Sequence, residues 1–258
     1  QTGFTDGTDD FTGTGFAVAV IDSGVDKTHP DLASSVISEA CYGQNQDYTD
    51  ATISSVCPGN AASSTATGSG APCATECDHG TMVAGIVGMQ PHPGLSISGD
   101  AVNASGIAKG SKIIALQSSA RITEKVGQAD FCGDAGVQTE VCYSPVMSLV
   151  LAGLNRVIEI NNTNAISMPI AAANISIGNP GFFTDDEATC SAQNAAYSAL
   201  NTSAATLKTL NIATIVAAGN SGDASGNANK ISAPACLSNV IAVSASTADD
   251  HMTSYSNA

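Results

Sequence analysis

Three polar residues stand where apolar runs stop. Asp22 follows Phe16-Ala17-Val18-Ala19-Val20-Ile21, His79 opens His79-Gly80-Thr81-Met82-Val83-Ala84-Gly85-Ile86-Val87-Gly88, and Asn220 follows Gly219 after the run 212–218. Taken singly, each has a plain reading: a turn former in Asp-Ser-Gly, a helix cap, a turn after glycine. Taken together they are an acid, an imidazole and an amide. A carboxylate can orient an imidazole, the imidazole can activate a hydroxyl, and an amide can bind the developing oxyanion.

The surrounding sequence predicts how these residues are carried. Residues 16–21 read as a strand buried on both faces, as in a parallel sheet. Gly80, Gly85 and Gly88 are costly in an exposed helix, so 79–88 reads as a buried helix that lets another backbone come close, with His79 at its mouth. Strands are expected at 112–116, 171–177, 212–218 and 240–243. Helices are expected at 146–160, from Leu149, Val150, Leu154, Val157 and Ile158, and at 188–210. Residues 31–78 and 90–106 read as mostly loop, and 121–145 as a polar insertion. The strand–helix rhythm implies an α/β fold: a mostly parallel sheet with helices on both faces. Polar turns at the carboxyl ends of such strands are where open sheets place function. No linker or internal repeat divides the chain, so 1–258 reads as one domain.

Composition removes several classes. Net charge is −15 with only 8 Lys plus Arg, which argues against nucleic acid and against an anionic membrane surface. No run of eighteen apolar residues exists to span a bilayer. The chain begins at Gln1 with no basic or apolar leader, and reads as a mature chain. Its 8 cysteines suggest disulfides and an oxidising compartment. Zinc at Cys73, Cys77, Asp78 and His79 is the weaker reading, because no second close cysteine pair accompanies them. Order alone suggests nearest-neighbour pairing: Cys41–Cys57, Cys73–Cys77, Cys132–Cys142 and Cys190–Cys236.

Six blocks in order resemble the subtilisin-like serine proteases: DSGVDKTHPDL at 22–32, HGTMVAGIVG at 79–88, NISIG at 174–178, VAAGN at 216–220, SAPACLSNVIAVSA at 232–245 and SYSNA at 254–258. The cysteine-bearing insertions resemble a secreted bacterial branch of that family. The resemblance implies a subtilisin-like three-layer fold and hydrolysis of peptide bonds in a secreted, extracellular protein. Asp22 would be the triad carboxylate, His79 the general base, and Asn220 the oxyanion donor. Ser176, Ile177 and Gly178 would pair with an extended substrate and wall the first specificity pocket. Ala217, Ala218 and Gly219 would form its other side. Small residues there leave room for a large apolar or aromatic side chain.

One departure matters. The family's nucleophile lies in a Gly-Thr-Ser motif after the SYSNA block, and these 258 residues hold none. The expectation is therefore a catalytic domain whose C-terminal part is missing, with the Ser beyond Ala258 and no activity in this chain alone. Its partners would be a polypeptide substrate and its own cleaved C-terminal segment. The alternative is a non-catalytic, peptide-binding or structural relative. The chemistry needs no cofactor. Structural Ca2+ is common in the family, and Asp9, Asp10, Asp47 and Asp50 offer oxygen ligands, with no dedicated spacing to name a site. Met82 stands where many relatives carry a second histidine, and reads as an apolar replacement.

Overall fold

The computed structural model describes residues 11–97, 100–125, 132, 141–179, 181–223, 227 and 229–257. Its frame is a seven-stranded sheet built from β1 (Ala17–Asp22), β2 (Val36–Tyr42), β3 (Ser63–Ser64), β4 (Lys112–Gln117), β5 (Ile170–Ile175), β6 (Ala213–Ala217) and β7 (Ile241–Val243). The strand order is β7-β6-β5-β1-β4-β2-β3. All neighbours are parallel except β2 and the short β3. The helices are α1 (His79–Gly88), α2 (Met147–Thr163), α3 (Glu187–Ala192) and α4 (Ala195–Thr209). No helix of the described residues is long and apolar enough to cross a membrane.

The two-residue period of β1 feeds two cores. Ala17, Ala19 and Ile21 join the larger one, with α2 and α4. Val150, Leu154, Val157 and Ile160 of α2 are buried there. Gly153 allows α2 to lie close on β1, since a Cβ would fall 2.9 Å from Ile21 Cγ2. Val20 faces the other way, with Val25, Leu32, Ala84, Ile113 and Ala115 under α1. Helices therefore cover both faces, as expected.

Several expectations need correction. Residues 31–78 are mostly loop, as expected, but β2 and the strand Ala51–Ser54 lie among them. Residues 90–106 include an antiparallel ribbon, His92–Ile97 with Asp100–Ala104. The polar insertion contains two paired strands, Ser119–Glu124 and Val141–Pro145, in a second sheet with Ala51–Ser54 and Gln46–Asp47. The expected helix 188–210 is two, because the Asn194 side chain accepts from the amides of Ala196 and Tyr197 at 2.8 and 3.3 Å and starts a new helix there. Helix α1 is buried along one side only. Gly80, Ala84 and Gly88 are buried, while Met82 and Ile86 are 55% and 69% exposed. The arm 1–10, with Asp9 and Asp10, lies outside the described residues. The four disulfides pair as expected from cysteine order. That leaves no thiolate of Cys73 or Cys77 for zinc.

Candidate active site

Asp22 ends β1 and is 1% exposed. Its Oδ1 accepts from the Ser23 amide at 2.7 Å and from His79 Nδ1 at 2.8 Å. A carboxylate only accepts, so Nδ1 carries the proton and Nε2 is left as the free base. The hydrogen bond donated to Asp22 raises the His79 pKa above its ordinary 6.5; partial burial opposes this, and the charges of Asp22 and Asp78 add to it. Asp22 Oδ2 is buried with no partner among the described residues. The Asp22 carbonyl accepts from the amide and hydroxyl of Ser118 at 2.8 and 3.2 Å, which ties the end of β1 to the residue after β4.

The junction between the Asp22 turn and α1 explains the first glycine of the helix. A Cβ on Gly80 would fall 2.2 Å from the Gly24 carbonyl and 3.1 Å from Asp22 Oδ1. Only glycine lets the helix start against the carboxylate. The N-cap residue of α1, Asp78, makes no side-chain cap bond. Ser23 supplies it from the β1 turn: its Oγ accepts from the Gly80 amide at 3.0 Å and donates to the Cys77 carbonyl at 3.1 Å. The Cys73 amide donates to the Ser23 carbonyl at 2.9 Å, so the Cys73–Cys77 ring closes the same junction.

Asp22 and His79 border a cleft of about 520 Å3. Ser176, Ile177 and Gly178 form one side. Glu76, Val141, Tyr143 and Pro145 also line it. The last three come from the ribbon that looked like a polar insertion, and the alternation Val141, Tyr143, Pro145 was the available signal. A second pocket of about 180 Å3 shares Ser176 and Gly178, and adds Phe183, Ala217, Gly219, Asn220, Ser221 and Ser232. Asn220 is exposed, and its side chain has no partner among the described residues. Ile177 and Ala218 are 7% and 1% exposed. Ile177 lines the large cleft rather than the small pocket, and Ala218 lines neither. The edge 176–178 thus separates a cleft holding the acid–imidazole pair from a pocket holding the amide.

Among the described residues no group of three His, Cys, Asp or Glu could hold a metal ion. Asp47 is engaged by Lys125 at 2.7 Å and Thr52 at 2.6 Å. No Ca2+ site is assigned.

Comparison with solved structures finds similar folds at low identity. Sphericase is 21% identical with a TM-score of 0.53, the match covering 95% of this chain and 59% of that one. A mutant of the protease domain of PatA is 21% identical with a TM-score of 0.54, covering 96% and 64%. A lanthipeptide protease is 19% identical with a TM-score of 0.53, covering 95% and 53%. The chain thus spans less than two thirds of the length of each of these structures. Comparison with curated protein sequences gives no significant match. The sequence matches the Subtilase family over residues 13–258. That match takes in almost the whole chain, and the chain belongs to the subtilase family.

Proposed function

We propose that this chain is the larger part of a serine endopeptidase domain whose nucleophile lies beyond Ala258. The observation that carries this reading is the His79–Asp22 hydrogen bond of 2.8 Å at the edge of a cleft. Asp22 holds the imidazole tautomer and stabilises the imidazolium. His79 takes the proton of a serine hydroxyl, then gives it to the leaving amine. Asn220 donates to the oxyanion. A substrate strand pairs along Ser176–Gly178, with the side chain before the cut in the pocket of Ala217, Gly219 and Phe183. The small residues and the aromatic wall favour a large apolar side chain; cleavage mapping that returns a basic or acidic preference overturns this. In this reading 1–258 is one incomplete domain, secreted, acting on polypeptides and held to its own C-terminal segment.

The uncovered part of the α1 face supports the same reading. The register row Ala115, Val20, Asn174, Ile215 and Ile241 crosses the sheet on that face. It is buried under α1 at Ala115 and Val20, half-buried at Asn174 and Ile215, and ends with Ile241 at 54% exposure. Met82 and Ile86 of α1 are exposed as well.

The test is turnover of a fluorogenic peptide. Residues 1–258 alone should show almost none, since removing a triad member leaves about 10³–10⁴ over water. A polypeptide extending past Ala258 should turn over, and His79→Ala should abolish it. One observation favours a second reading, a peptide-binding relative: the 258 residues contain no Gly-Thr-Ser. Peptide binding without turnover in the extended polypeptide would establish it.

A further inference from the structure

The segment that precedes the last described residue is threaded into the loop carrying Asn220. Asn257 is 0% exposed. Its Oδ1 accepts from the Ser221 amide at 2.9 Å, and its Nδ2 donates to the carbonyls of Asn227 and Lys230 at 3.0 and 2.8 Å. Its own amide donates to the Gly219 carbonyl at 3.1 Å. Its carbonyl accepts from the Ser244 hydroxyl at 2.7 Å, which ties the residue after β7 to the same point. One buried asparagine therefore grips the residue before Asn220, the residue after it, and the return of the loop.

Two glycines are shaped to this grip. Gly219 has φ +116°, and a Cβ there would fall 2.7 Å from Asn257 Oδ1. A Cβ on Gly222 would fall 2.1 Å from the Ser256 carbonyl. The four residues Gly219-Asn220-Ser221-Gly222 close around the incoming segment, and Asn220 is the one whose side chain is left exposed and unpartnered among them.

We propose that Asn257 is a positioning residue for the oxyanion-binding amide of Asn220, an inference that rests on the function proposed above. An oxyanion donor works only when it is aimed before the reaction, at the place where charge develops. Among the described residues Asn220 has no bond of its own to aim it. Its neighbours on both sides are fixed by Asn257, so its backbone direction is inherited from that residue. Asparagine alone offers this set at this length: two donors for the loop carbonyls and one acceptor for Ser221. Aspartate keeps the acceptor and the shape and loses both donors.

The experiment uses the polypeptide extended past Ala258. Asn257→Asp should lower kcat about 10-fold, toward the 10²–10³ that losing such a donor costs in a subtilisin. KM should change by less than about twofold, as for an interaction made in the transition state. In an Asn220→Ala background the same substitution should cost less than about twofold, because the residue it positions is gone. A merely structural role would lower kcat equally in both backgrounds. An equal loss, or no loss in the wild-type background, overturns the proposal. If the extended polypeptide hydrolyses nothing before substitution, the proposed function fails by itself. The clamp is then read in residues 1–258 by amide hydrogen exchange. Asn257→Ala should speed exchange at Ser221 and Gly222 while β1 and β5 stay protected, and unchanged exchange at Ser221 overturns it. If Asn257→Ala does not fold, Asn257→Asp is read in its place, at the loop residues around Lys230.

Discussion

On the α2 and α4 face of the sheet, Ile21, Leu116, Leu154, Ile175, Tyr197 and Leu207 are all at 1% exposure or less. On the α1 face α1 turns Met82 and Ile86 outward, and the edge strand β7 is exposed throughout, Ile241 and Val243 by 54% and 50%. The closed face fixes the path of β1 and so the place of Asp22. The open face carries His79. The candidate site therefore lies where a buried face of the sheet meets a partly exposed one, and its two residues should respond to perturbation through different physics.

The largest contrast is expected in core truncation. Leu154→Ala on the closed face should cost about 2–5 kcal/mol, lowering Tm by on the order of 10 °C for a chain of this size. Ile86→Ala on the open face should change stability by less than about 0.5 kcal/mol in residues 1–258. Thermal melts that show equal losses would erase the distinction between the faces. In the extended polypeptide Ile86→Ala should become costly, if the added segment covers it.

The disulfides repeat the comparison at smaller scale. Cys190–Cys236 closes a span of 46 positions against the large core, and Cys73–Cys77 a span of 4 beside α1. In the chain-entropy model, alanine replacement of each pair should cost about 4 and about 2 kcal/mol respectively. Denaturant midpoints check the order, and a reversed order would contradict it.

Two glycines of α1 should move stability in opposite directions. Gly80→Ala forces a methyl against the Gly24 carbonyl and should cost about 1–3 kcal/mol, while releasing His79 from Asp22. A methyl added at Gly85 would meet nothing within 4 Å. Gly85→Ala should therefore stabilise by about 0.4–1 kcal/mol. Melting of both variants, with the His79 imidazole followed by NMR, tests the pair.

The smallest effect is in pH. The folded-state pKa of His79 is raised, chiefly by its hydrogen bond to Asp22. The stability this pairing contributes is full below the ordinary value of 6.5 and is lost as pH rises through the raised value. Half of the imidazole surface is exposed, so the change is modest. NMR titration should place the His79 midpoint above 6.5. Asp22→Asn should bring it down, and a midpoint unmoved by that substitution would break the assigned pairing.

The sequence exposed the parallel strands around Asp22 and Asn220 because their runs are apolar throughout or broken only by Thr214. It concealed β2, where Ser38 and Glu39 interrupt the run; Glu39 nonetheless tolerates its place by pairing with Lys27 at 2.5 Å. It concealed the cleft wall of Val141, Tyr143 and Pro145, whose alternation is short and set in polar chain. The cysteine order was informative because three of the four pairs bracket short segments of 4, 10 and 16 positions, which leaves Cys190 and Cys236 for each other. Ser23 and Asn257 were invisible as functional residues, since a cap supplied from another element and a clamp from 37 positions away leave no local pattern. Apolar periodicity reports burial; it does not report which polar atom meets which.

The most direct measurement is labelling with a fluorophosphonate probe, read by intact mass. A polypeptide extending past Ala258 should gain one label, on a serine of the added segment, and His79→Ala should suppress it, while residues 1–258 alone should gain none. Labelling within residues 1–258, or an extended polypeptide that contains a Gly-Thr-Ser motif and stays unlabelled, would contradict the assignment of Asp22 and His79 as the base half of a serine relay.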